Sequence, residues 1–156
     1  MRVFGIVGWS GAGKTTLIAA LIPELRRRGL RIATIKHTHH DIDLDRPGKD
    51  SYIHRHAGAE ETLLAGPKRW TLIHEGGEPE LSALLSALSP VDLVLVEGFK
   101  TDPIPRLEVF RPSLAKPLLC VDDPHLLAVA SDEVLPGRLN LNDPPAIASF
   151  IVEHAR

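Results

Sequence analysis

The stretch Val3-Phe4-Gly5-Ile6-Val7-Gly8-Trp9-Ser10-Gly11-Ala12-Gly13-Lys14-Thr15-Thr16 decides the fold. Its first five residues are a short apolar run, the pattern of a strand. Gly8 to Thr15 then reads G-x-x-x-x-G-K-T. Beyond it, Leu17, Ile18, Leu21, Ile22 and Leu25 recur at helical spacing up to Arg28. Strand, glycine loop and helix in that order form the context in which this motif cradles phosphate. The glycines allow a tight wrap that a Cβ would resist. The backbone N–H groups of Gly8, Ser10, Gly11, Ala12, Gly13 and Thr16 are then expected to face phosphate oxygens, beside the positive end of the helix. Lys14 is expected at the β- and γ-phosphates, and the Thr15 hydroxyl on Mg²⁺. A plain glycine turn with an incidental Lys-Thr is the alternative, and both flanks argue against it.

Working outward, the 156 residues suffice for one domain with a real core, expected to be a single nucleotide-binding unit over residues 1–156. A net charge of −2 argues against non-specific nucleic-acid binding. No apolar run reaches the length of a membrane span. The first strand begins at Val3, which argues against a signal peptide. Cys120 is alone and lies in the apolar run Leu118–Val121, so a buried structural thiol is expected. These features imply a cytoplasmic protein.

Along the chain, the first helix should run from Lys14 to Arg28, bend at Pro23 and end on Gly29. Strand two is Arg31–Lys36. The polar segment 38–48 reads as an exposed, extended excursion, and Asp50 or Ser51 should cap a short helix ended by Gly58. Glu61–Ala65 and Arg69–His74, joined by Gly66-Pro67-Lys68, read as a hairpin. A helix follows from Pro79 to Leu88. Val91–Val96 is a continuous apolar run of the buried parallel kind. Arg106–Phe110 reads as an edge strand because Pro103 and Pro105 precede it. Leu118–Val121 and Leu126–Ala130 read as two further strands, and Ala146–His154 as a closing helix. The alternation implies an α/β fold: a three-layer P-loop NTPase with a mostly parallel sheet and an added β-hairpin or extended segment.

In such folds ligands sit beyond the carboxyl ends of the strands. Glu97, ending the buried strand, is the expected Walker B acid, and Lys14 and Glu97 are the expected catalytic pair. Lys36, His37, Asp41, Asp43 and Asp45 could form a switch segment, with Lys36 on phosphate and Asp41 on Mg²⁺ through water. His37, His39 and His40 also suit a soft divalent metal, although no cysteine accompanies them. No N-K-x-D motif is present, so Asp132 is the best-placed carboxylate to read a base, ahead of Asn140, Asn142 and Asp143. Lys100 and Arg106 are candidate internal charge donors.

Taken together, several motifs make the chain resemble the molybdopterin-guanine dinucleotide biosynthesis protein B (MobB) family. They are the phosphate loop, Lys36-His37-Thr38-His39-His40-Asp41-Ile42-Asp43, Pro47-Gly48-Lys49-Asp50-Ser51, Val94-Leu95-Val96-Glu97-Gly98-Phe99-Lys100 and Ile104-Pro105-Arg106-Leu107-Glu108-Val109. The resemblance implies a GTP-binding, weakly hydrolysing accessory protein with Mg²⁺. It would act in attaching GMP to molybdopterin beside a MobA-type nucleotidyltransferase, as a homodimer with an exchanged extended segment. Two alternatives use the same phosphate loop: a small-molecule kinase, and a metallochaperone GTPase using the histidine cluster.

Overall fold

β1 (Arg2–Val7) lies inside a six-stranded sheet in the computed structural model, which describes residues 1–38, 45–133 and 136–156. The remaining elements are α1 (Lys14–Arg27), β2 (Ile32–Lys36), α2 (Asp50–His56), β3 (Glu61–Ala65), β4 (Trp70–His74), α3 (Leu81–Ala87), β5 (Leu93–Glu97), β6 (Arg106–Phe110), β7 (Leu126–Ser131), β8 (Leu139–Asn140) and α4 (Pro144–His154). The chain divides into two compact units. One comprises Met1–His37 with Leu84–Arg156, the other Thr38–Ala83.

The first unit holds the sheet, in the order β2-β5-β1-β6-β7-β8, and every adjacent pair is parallel. Its centre is apolar because β5 is buried along its whole length. Phe4, Ile6, Leu93, Leu95 and Leu107 form one continuous core with Leu17, Leu21 and Leu25 of α1 and Ile147 and Ile151 of α4. Pro23 lies inside α1. A helix-interior proline costs about 3 kcal/mol or more. Burying Leu17, Leu21 and Leu25 contributes about 1.5–3 kcal/mol each, so packing outweighs the proline and the helix continues. Gly29, with φ 83°, takes the left-handed position just past its end. At α4, Asp143 caps the start by accepting from the Ala146 N–H at 3.1 Å, ahead of Pro144 and Pro145.

Two expectations for this unit are corrected. β6 is interior, between β1 and β7, rather than an edge. The prolines before it cost the ladder nothing, because Pro105 contributes only its carbonyl, which accepts from the Gly5 N–H at 2.8 Å. Leu118–Val121 is not a strand. The N–H groups of Leu119 and Cys120 donate to the buried Glu108 carboxylate, at 2.8 and 3.2 Å, instead of to a neighbouring strand. Cys120 is buried, as expected, and burial raises its thiol pKa. β8, only two residues long, has no counterpart in the sequence reading.

In the second unit, β3 and β4 form the expected antiparallel hairpin, with Leu63 opposite Leu72 and Ala65 opposite Trp70. These four share one face, and Leu63, Trp70 and Leu72 are exposed large apolar residues. α2 is capped differently from expectation. Lys49 is its N-cap, with no side-chain bond. The Ser51 hydroxyl donates to Asp45 at 2.8 Å, and Arg55 reaches both Asp45 and Glu75. Among the described residues no helix is long and apolar enough to cross a membrane.

Candidate functional site

The loop between β1 and α1 turns with Gly11 and Gly13 at φ 81° and 99°, in the left-handed region that glycine enters freely. Gly13 is the N-cap of α1, so the first free N–H groups of the helix begin at Lys14 and Thr15. The Lys14 ammonium folds back over the loop and donates to the carbonyls of Gly8 and Trp9, each at 3.0 Å. Burial lowers its pKa from the usual 10.5. The nearby Glu97 opposes that shift and Lys36 adds to it. Bound anionic oxygens would replace the lost hydration of this ammonium.

Parallel register then brings Glu97 to the loop. β5 lies beside β1, with Ile6 opposite Glu97, so the strand ends where the phosphate loop begins. The Thr15 hydroxyl lies 3.0 and 3.1 Å from the two Glu97 carboxylate oxygens. Lys36, opposite Glu97 on the other side, has its ammonium 3.9 Å away. Glu97 is buried while Lys36 is mostly exposed. A hydroxyl and a carboxylate so juxtaposed form an oxygen donor set suited to Mg²⁺, directly and through water. The two ammonium groups suit polyphosphate.

Beyond Glu97 the backbone reverses sharply. Gly98 has φ 96°, and a Cβ there would stand 2.8 Å from the His37 Cβ. His37 donates its N–H to the Glu97 carbonyl at 2.8 Å and stacks on Phe99, with ring centroids 4.7 Å apart. His37 thus packs against the turn that carries Glu97. Lys100, next along, offers its carbonyl to Arg106.

Arg106 does not join the site. It is 1% exposed, bonds the carbonyls of Lys100, Asp102 and Ile104, and pairs with Asp123 at 3.3 Å. It holds the Lys100–Ile104 loop in shape from within. Asp41, with His39, His40 and Asp43, lies outside the described residues. Asp45 lies in the second unit, on α2's Ser51 and Arg55. Among the described residues, no group of three His, Cys, Asp or Glu side chains comes together to hold a metal.

On the other flank, Arg111 follows β6 directly. Its Nε donates to the Ala12 carbonyl at 2.8 Å, and its Nη1 donates to Asp132 at 2.7 Å. Asp132 is therefore at the loop, as its strand-end position suggested, but with an arginine on one oxygen. Its other oxygen is buried with no partner among the described residues. Arg111 is a site residue that the motifs did not flag, although its place one residue past a strand end was the available signal. Trp9 is likewise anchored, its indole N–H donating to the Pro117 carbonyl at 2.7 Å.

The profile of the family described as molybdopterin guanine dinucleotide synthesis protein B matches residues 3–132. A molybdopterin-guanine dinucleotide biosynthesis adapter protein of Escherichia coli K12 is 46% identical over 160 aligned residues, covering 97% of this chain and 91% of the relative. The protein of that name from Haemophilus influenzae is 43% identical, covering 96% and 86%. A crystal structure of molybdopterin-guanine biosynthesis protein B superposes with a TM-score of 0.76 at 31% identity, over 97% of this chain and 98% of that one.

Proposed function

Because the chain belongs to the molybdopterin guanine dinucleotide synthesis protein B family, we propose that it is a GTP-binding accessory protein of molybdenum-cofactor biosynthesis. It binds GTP with Mg²⁺ and assists a MobA-type nucleotidyltransferase acting on molybdopterin. The observation that carries the reading is the Thr15–Glu97 pair at 3.0 Å, flanked by Lys14 and Lys36 at the carboxyl end of the sheet. Lys14 and the loop N–H groups from Gly11 to Thr16 hold the β- and γ-phosphates. Thr15 is the Mg²⁺ ligand and Glu97 orients water beside it. Mg²⁺, when bound, supplies charge neutralisation across the phosphate oxygens.

Hydrolysis by the isolated protein is slow. An arginine at the transition state accelerates such sites by about 10³–10⁵-fold, and Arg106 is committed to carbonyls elsewhere. The relatives' name, adapter, agrees with a role exerted through a partner enzyme. The apolar hairpin face of Leu63, Trp70 and Leu72 supports a homodimer, because a two-stranded hairpin is marginal alone in water. The deciding experiment is calorimetric titration with GTP and with ATP, in Mg²⁺ and in EDTA. Tighter binding of GTP that depends on Mg²⁺ and vanishes in Lys14→Ala is expected. Equal affinity for ATP, or undiminished binding by Lys14→Ala, would overturn the reading.

A further inference from the structure

A cavity of about 270 Å³ opens on the flank of the phosphate loop away from Glu97. Thr16 and Ala20 of α1 line one side. Arg111 lines another, and Leu141 and Asn142 after β8, with Pro144 at the start of α4, close it. The two flanks of the loop differ in chemistry. Thr15, Lys14, Lys36 and Glu97 gather on the β5 side, where charge and a carboxylate suit terminal phosphates and a cation. The β6–β8 side presents apolar surface from Ala20, Leu141 and Pro144 beside the polar groups of Thr16, Arg111 and Asn142. A nucleotide lying across the loop with its terminal phosphates on the first side must send its other half to the second.

Arg111 is built into this edge. Two of its guanidinium nitrogens are fixed, one on the Ala12 carbonyl and one on Asp132. The third, Nη2, has no acceptor among the described residues. It stands 3.2 Å from where a Cβ on Gly13 would be, a close approach that the glycine at φ 99° leaves open. A guanidinium already pinned at two points loses little freedom when its third nitrogen binds an anion.

We propose that this cavity receives the nucleoside half of the nucleotide and that Arg111 grips the α-phosphate there, with Asp132 as the positioning residue behind it. The proposal rests on the nucleotide-binding reading above. It gives the phosphate loop two cations from opposite flanks, Lys14 for the terminal phosphates and Arg111 for the phosphate next to the ribose.

The test is calorimetric titration of wild type, Arg111→Ala, Arg111→Lys and Ala20→Leu with GTP and, separately, with pyrophosphate, all with Mg²⁺. Pyrophosphate fills the terminal-phosphate sites and has neither α-phosphate nor nucleoside. Arg111→Ala should weaken GTP by about 10–100-fold, the scale of a charge-assisted hydrogen bond, and pyrophosphate by less than about two-fold. Arg111→Lys should not restore GTP binding, because lysine lacks the fork that reaches Ala12, Asp132 and phosphate together. Ala20→Leu keeps a good helix former but fills the cavity, so it should weaken GTP alone. Equal loss of GTP and pyrophosphate in Arg111→Ala would reduce Arg111 to a brace of the loop and overturn the proposal. Wild-type GTP affinity in Ala20→Leu would also overturn it. If the wild type binds pyrophosphate but not GTP, the nucleotide reading itself falls, and the proposal with it.

Discussion

Replacing Glu97 by Gln tests the role of its carboxylate, because the change preserves size and removes charge. The Thr15 hydroxyl keeps an acceptor, since the amide oxygen can take its hydrogen bond. What the fold loses there is the charged part of that bond, about 0.5–1.5 kcal/mol. The Lys36 partner, 3.9 Å away, has a side chain 60% exposed, so that pair adds only about 0.2–1 kcal/mol after solvent screening. Relief of burying a carboxylate offsets these losses. The net change in stability should be within about 1 kcal/mol, or roughly 2–4 °C in Tm. Metal binding should respond more strongly. Removing a group that orients a metal's ligands typically lowers metal affinity by about 10–100-fold, roughly 1.4–2.7 kcal/mol. GTP affinity in saturating Mg²⁺ should fall on that scale. In EDTA it should stay level or rise slightly, because a carboxylate beside the terminal phosphates repels them. Calorimetric titration of both proteins in the two conditions, with thermal melting as a control, measures every quantity. Equal losses with and without Mg²⁺ would refute the metal argument and leave Glu97 a structural partner of Thr15.

Three further outcomes are expected. Burial lowers the Lys14 pKa in the empty protein, while bound phosphate favours the charged form. GTP affinity should therefore be level above neutrality until pH rises through that lowered pKa, then fall by up to about tenfold per pH unit; a profile still level at pH 10.5 would contradict this. In the empty protein the sign is the opposite for stability, which should rise with pH in the interval between the folded and unfolded pKa. Gly98→Ala puts a Cβ 2.8 Å from the His37 Cβ at φ 96°, so urea unfolding should show a loss of about 1–3 kcal/mol; an unchanged midpoint would mean that the turn relaxes freely. Leu63→Ser with Leu72→Ser should shift the protein from dimer to monomer in light scattering, and a monomeric wild type would remove the basis of that expectation.

The parts of the fold legible in the sequence are those fixed by local periodicity or by one backbone requirement. The apolar run of β1, the i, i+3, i+4 pattern of α1, the unbroken β5 and the hairpin turn at Gly66-Pro67 all act within a few residues. The prolines ahead of β6 suggest an edge, yet both precede the ladder and the strand is interior. Leu118–Val121 has the composition of a strand. What decides its structure is the Glu108 carboxylate, which takes the N–H groups of Leu119 and Cys120 from eleven and twelve residues away. At the site, the rule that ligands meet strand ends located Lys36, Glu97 and Asp132 together with the phosphate loop. Applied to β6 it also separates Arg106, at the strand's start, from Arg111, one residue past its end, and the sheet shows the first buried beneath loop carbonyls and the second bonded to Ala12.

The strand order has a consequence for how the chain is made. β1 pairs with β5 and β6, and β2 pairs with β5, but β1 and β2 never pair with each other. Among the described strands, no parallel ladder can therefore be completed until Glu97 has been synthesised. At about 5–20 residues per second, Val3 to Val7 emerge and wait roughly 5–20 s for a partner strand. Among the described residues, only the hairpin of residues 61–74 pairs from neighbouring sequence in that interval. The apolar strand that carries the phosphate loop is thus the longest-waiting sticky edge of the nascent chain, and its assembly is gated by arrival of the strand that brings Glu97.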